Sequence, residues 1–147
     1  MRQVFVDTSA WDALADSQKE AEAEMQEDQE VSLRVSRVTP EVIDAVRRRI
    51  VAAVNPQQIV MFGSQARGDA TASSDIDLLV VQDTAQSDRE VRRRLERLLL
   101  DRRFGLDLIV RTPEEVALNL ADGNPFYTEH IFADGVVLYD RAEQETR

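Results

Sequence analysis

From Thr39 onward, apolar positions alternate between two rhythms. In TPEVIDAVRRRIVAAVNP, Val42, Val46, Ile50 and Val54 recur every four residues with Ile43 beside them. That spacing lines one face of an amphipathic helix, which Thr39 caps, Pro40 opens and Asn55-Pro56 ends. Two unbroken apolar runs follow, IVMF at 59–62 and a run at 76–81 that is interrupted only by Asp77, and both read as buried strands. The polar loop GSQARGDATASS separates them, and QARG within it suits a helical turn. A further helix is predicted from Asp88 to about residue 103, with Val91, Leu95, Leu98 and Leu99 inward. Its Arg92, Arg93, Arg94 and Glu96 then face water. GLDLIV at 105–110 is the next strand. Thr112-Pro113-Glu114-Glu115 opens a short helix that Gly123-Asn124-Pro125 breaks, another short helix carries Phe126, Ile131 and Phe132, and GVVLYD is the last strand. Helices interleaved with short strands predict an α/β (α+β) domain, a small mixed sheet flanked by helices.

The chain before residue 31 follows neither rhythm. A strand-like run at 4–6 and a polar turn precede an acidic, alanine-rich stretch at 16–30, which has helix propensity but little apolar stripe to bury. It reads as an appended segment, 1–30, ahead of the main domain, 31–147. With 147 residues, 43% hydrophobic and 31% charged, the chain suits a single modest core. A formal charge of −10 argues against direct nucleic-acid binding and suits a basic protein partner. The absence of cysteine excludes disulfides and thiolate metal sites. No apolar run approaches ~18 residues and no signal pattern opens the chain, so no membrane span and a cytoplasmic location are expected.

Two features of the pattern serve no core. Asp75 and Asp77 stand two apart at a strand mouth, so both side chains leave the same face. Carboxylates that close repel unless protonated or neutralised by a cation. Asp107 sits among Leu106, Leu108, Ile109 and Val110, which predicts a charge on an otherwise buried strand and hence a need for a partner. If the strands of Asp77 and Asp107 are neighbours, three acids converge and Mg²⁺, which prefers oxygen ligands, is the natural partner. Gly63 and Ser64 follow a strand and precede the QARG turn. Glycine admits a phosphate close to the backbone, and the turn's N–H groups and the Ser64 hydroxyl can donate to it. Arg67 is a candidate phosphate contact, with a surface bond to Asp69 as the alternative. A phosphate cradle beside metal-binding acids is what phosphoryl or nucleotidyl transfer requires. His130, the one histidine, reads as structural, and Phe126 and Tyr127 as core or interface residues.

Gly63-Ser64, ten intervening residues and then Asp75-x-Asp77 resemble the signature of the nucleotidyltransferase superfamily that includes DNA polymerase β. GSQARGDATASSDIDLLVV is most similar to its minimal nucleotidyltransferase (MNT) branch. The likeness runs from about residue 38 to 139, through the acid in GLDLIV to EHIFADGVVLYD. It implies that Asp75 and Asp77 are the metal-binding pair, Asp107 the third acid, and Gly63 and Ser64 nucleotide-phosphate contacts. Members of this size often act as antitoxins to HEPN-domain toxins, and some transfer AMP from ATP to a partner's tyrosine. Separately, VFVDTSAWDAL resembles the opening of a PIN-domain nuclease, with Asp7 matching its first metal ligand. Only about two dozen residues match, and the later segments follow the nucleotidyltransferase pattern, so it reads as a fragment.

The expectation is a Mg²⁺-dependent transferase moving AMP from ATP to a hydroxyl, with pyrophosphate leaving and Asp107 completing the site or acting as general base. Larger superfamily members add a helical domain that holds the acceptor. This chain has no room for one, so the acceptor is expected on a partner, a HEPN-type toxin, in a hetero-oligomer. Two alternatives stay open: an antitoxin that neutralises by binding alone, and a small-molecule, aminoglycoside-like adenylyltransferase.

Overall fold

The computed structural model describes residues 31–71 and 73–145. The appended segment 1–30, with Asp7 and the acidic stretch, lies outside the described residues.

The four-residue rhythm becomes helix α1 (Pro40–Val54). Thr39 caps it with an extended backbone and a hydroxyl that accepts from the Val42 N–H at 3.2 Å. Asn55 ends it in the left-handed conformation. Then come β1 (Gln58–Phe62), the single turn α2 (Ser64–Arg67), β2 (Ile76–Val81), α3 (Asp88–Leu98), β3 (Leu106–Arg111) and α4 (Pro113–Ala121). A π-helical segment (Phe126–Ile131), β4 (Val136–Asp140) and α5 (Arg141–Glu145) complete the order.

The strands form one sheet in the order β3-β2-β1-β4. β1 runs antiparallel to β2 and β4, whereas β2 and β3 are parallel, so the sheet is mixed as expected. A parallel pair needs a crossover, and α3 supplies it. Its start is fixed by a reciprocal cap: Glu90 N–H donates to Ser87 Oγ at 3.2 Å, and Ser87 N–H donates to Glu90 Oε1 at 3.4 Å. Thr112 and Glu115 repeat the device at α4, at 3.2 and 2.8 Å. At the far end of the sheet, fully buried Gln82 donates to Asp88 Oδ1 at 2.9 Å and accepts from the Thr84 hydroxyl at 2.6 Å, fixing the turn into α3.

Strand alternation sorts the core into two layers. Val60, Phe62, Leu79 and Val81 share one face with Asp77 and pack with Val116 of α4 and with Tyr127 and Ile131. Ile59, Leu78, Val80, Leu108 and Val110 are buried on the other face. Its cover comes from the buried stripes of α1 (Val42, Val46, Ile50) and α3 (Val91, Leu95).

One expectation fails here. The third predicted helix stops at Leu98 instead of running to about 103, and Leu98 is 37% exposed while Leu99 is buried. Leu98 keeps the angular position of an inward residue, but it ends the helix over an open groove beside Ala52 and Ala53 that no further element among the described residues fills. Among the described residues no helix is long and apolar enough to cross a membrane.

Leu79 is wholly buried two residues beyond Asp77 on the same face. Leu79→Ala is therefore expected to cost about 2–5 kcal/mol, read as a lowered urea midpoint with an unchanged slope.

Candidate active site

The register of the sheet assembles the acids. Phe62 pairs with Asp77 across the antiparallel β1·β2 ladder, and Asp77 pairs with Asp107 across the parallel β2·β3 ladder. Directly paired residues share a face, so Phe62, Asp77 and Asp107 form one row across three strands. Asp75 lies one residue before β2, on the same side as Asp77 by alternation.

Asp77 is half-buried, and Asp75 and Asp107 are exposed. The expectation of a buried charge at Asp107 is thus corrected. β3 is an edge strand, and the apolar layer on this face reaches Ile109 but not the next row out, so water solvates the Asp107 carboxylate. The three acids still feel one another. The Asp77 carboxyl is raised above its ordinary value of 3.8, first by burial, then by the negative charges of Asp107 and Asp75, with Arg67 pulling in the opposite direction.

Two glycines make room for these carboxylates. Gly63 joins β1 to α2 with φ +75°, a conformation that favours glycine, and a Cβ there would overlap Asp77 Oδ2 and lie 3.2 Å from its Cγ. Gly105 accepts the Ile76 N–H at 3.0 Å, and a Cβ on it would overlap the Asp75 carboxyl. Gly105 went unrecognised in the sequence, where the signal was a glycine directly ahead of the strand that bears the third acid.

The Gly-Ser turn opens beside this row. The first backbone bonds of α2 are donated by Ala66 and Arg67 to the Gly63 carbonyl, at 3.1 and 3.0 Å. The N–H groups of Ser64 and Gln65 therefore lie ahead of the turn's ladder. Arg67 makes the surface contact with Asp69, Nε to Oδ2 at 3.3 Å, while its charge reaches Asp77. His130 is exposed, 6.0 Å from the Phe126 ring. Phe126, read as core or interface, is 40% exposed and packs edge-on against Phe62 at 5.9 Å, which sets it beside the acid row.

Among the described residues, no three His, Cys, Asp or Glu side chains close on a point that could hold a metal. The donor set nonetheless fits Mg²⁺, which takes one or two protein carboxylates and completes its shell with water and substrate phosphates. Burial and then two neighbouring carboxylates disfavour the ionised form of Asp77, which a bound cation would stabilise.

A mixed sheet with a glycine-serine turn and acids on adjacent strands is the frame of a nucleotidyltransferase. The chain belongs to the polymerase β nucleotidyltransferase family: the family described as "Polymerase beta, Nucleotidyltransferase" matches residues 47–144. Among solved structures, it is similar to a candidate nucleotidyltransferase from Sulfolobus solfataricus, with 22% identity, 69% of this chain and 79% of that chain covered, and a TM-score of 0.48. It is also similar to a chain from a crystal structure of a toxin-antitoxin with AMP-PNP, with 16% identity, coverage of 70% and 77%, and a TM-score of 0.42. No curated protein matches the chain.

Because folding raises the Asp77 pKa, the ionised form is costlier in the folded than in the unfolded chain. That cost is fully present above the raised value and absent below 3.8, where both states are protonated. Asp77→Asn should accordingly raise the melting temperature at neutral pH, and the gain should vanish as pH falls below 3.8; thermal melts across pH measure it. Gly63→Ala should cost roughly 1–3 kcal/mol from left-handed strain, whereas Gly105→Ala should displace the Asp75 carboxyl with a smaller loss, a contrast that denaturant titration resolves.

Proposed function

We propose that this chain is a cytoplasmic, Mg²⁺-dependent nucleotidyltransferase that moves AMP from ATP onto a hydroxyl of a partner protein, as the antitoxin of a HEPN-type toxin. Family membership supports the nucleotidyl transfer. The observation that favours a protein acceptor is exposure: Asp75 and Asp107 are open to solvent and Asp77 is half-buried at one end of the sheet. A small molecule is usually held by the walls of a cavity, whereas a row this open suits a hydroxyl carried on another protein's surface. The HEPN identity follows from the resemblance to the MNT branch.

In this reading the acceptor oxygen forms a bond to the α-phosphorus, the bond from that phosphorus to the bridging oxygen breaks, and pyrophosphate leaves with the electron pair. Asp107 takes the acceptor's proton from its exposed position beside Asp77. Asp75 and Asp77 would hold Mg²⁺, which when bound neutralises triphosphate charge. Ser64 Oγ and the N–H groups of Ser64 and Gln65 donate to phosphate oxygens, with Gly63 leaving the approach clear. Arg67 exchanges Asp69 for a phosphate oxygen.

Incubation with ATP, Mg²⁺ and the HEPN-type partner is expected to add one or more AMP units to the partner by intact mass, and Asp75→Ala and Asp77→Ala should each abolish the gain. Equal neutralisation of the toxin by both variants, with no mass gain from the unsubstituted chain, would overturn the enzymatic reading. ATP consumption with an aminoglycoside alone would instead redirect the acceptor to a small molecule.

A further inference from the structure

The layer of helices on the sheet face away from the acid row carries a concentration of charge that nucleotidyl transfer does not use. An open groove of about 610 Å³ runs between α1 and α3, lined by Arg49, Ala52, Ala53, Arg94, Arg97 and Leu98. A shallower depression of about 380 Å³ shares Arg97 and adds Arg93, Glu96 and Leu100. Against a chain charge of −10, four arginines here face one glutamate.

Few of these charges are used internally. Arg49 contacts Asp101 at 3.3 Å, and Glu96 bonds Arg92 at 3.1 Å. Arg93, Arg94 and Arg97 have no ion pair among the described residues. The floor between them is apolar. Leu98 is 37% exposed and Leu100 75% exposed. Ala52 and Ala53 keep the α1 side low enough for another backbone to approach. An apolar strip flanked by cations between two helices has the shape and charge that accept the apolar face of a third helix.

We propose that the α1–α3 groove docks an amphipathic helix of a partner protein, one whose leucine-sized residues sit on Leu98 and the two alanines and whose flanking glutamates or aspartates pair with Arg93, Arg94 and Arg97. Charge complementarity selects this occupant. Nucleic acid is disfavoured by a lining with no aromatic ring on which bases could stack. The surface lies on the opposite layer from Asp77, so occupation leaves the acid row open, and the proposal stands apart from the nucleotidyltransferase reading.

The test uses the full chain and fluorescence anisotropy with a labelled helical peptide carrying leucines at i, i+3, i+4 and i+7 and glutamates on both flanks. The glutamate peptide should bind, its lysine-flanked counterpart should not, and binding should weaken as salt rises. The double variant R94E/R97E should lose roughly tenfold or more in affinity, in line with the loss of two charge pairs at an interface. The pair Arg94→Gln and Arg97→Gln should give an intermediate loss, with an unchanged circular dichroism spectrum. Equal binding of both peptides, no binding of the glutamate peptide, or unaltered affinity in R94E/R97E would overturn the proposal. So would tighter binding of a single-stranded oligonucleotide, or sedimentation showing that the groove is closed by a second copy of the chain.

Discussion

Parallel pairing of β2 with β3 is the constraint from which the domain's arrangement follows. Two parallel neighbours cannot be joined by a tight turn, so the chain must leave the sheet after Val81, pass through α3 and return at Leu106. That excursion puts α3 beside α1 and creates one helical layer. It also brings Asp107 into register with Asp77, two residues separated by a strand, a helix and a loop. Antiparallel pairing to β1 then adds Phe62 to the same row and delivers the Gly63-Ser64 turn to the same end of the sheet.

The acid row is electrostatically unfavourable as built. Burial and two neighbouring carboxylates all work against the ionised Asp77, and Arg67 offsets only part of this. The fold accommodates the conflict by position. The row lies at the rim, where Asp75 and Asp107 stay hydrated, and glycine at 63 and 105 leaves space for the carboxylates that any side chain would invade. Deeper in the same face, Leu79, Val81, Val116 and Ile131 form a dry core that keeps the strands in register. The acid row and the dry core thus occupy successive rows of one sheet face, with only Leu78 between Asp77 and Leu79 along β2.

The opposite layer follows a different logic. Its inner surface is apolar and closed by α1 and α3, while its outer surface carries exposed leucines and arginines on a chain that is otherwise strongly acidic. The domain thus presents two faces of opposite charge, one acidic at the sheet rim and one basic on the helices.

Much of this was legible in the residues themselves. The Thr39 cap, the four-residue stripe of α1, the apolar runs of β1 and β2, and the Gly-Ser and Asp-x-Asp spacings are all set by interactions within a few positions along the chain. Periodicity and capping are local physics, and the sequence carries them openly. What surrounds a side chain is different, because it depends on which remote segment arrives to cover it. Asp107 looked buried because its neighbours are apolar, yet the edge of the sheet leaves it in water. Leu98 held an inward angular position, yet it lines an open groove and stays 37% exposed. Gly105 read only as the first residue of a strand, and its closeness to the Asp75 carboxyl came with the pairing of β3 and β2. Sequence by itself determined the elements and the chemical types at the site; the tertiary pairing of β2 with β3 decided which of those residues meet and which meet only solvent.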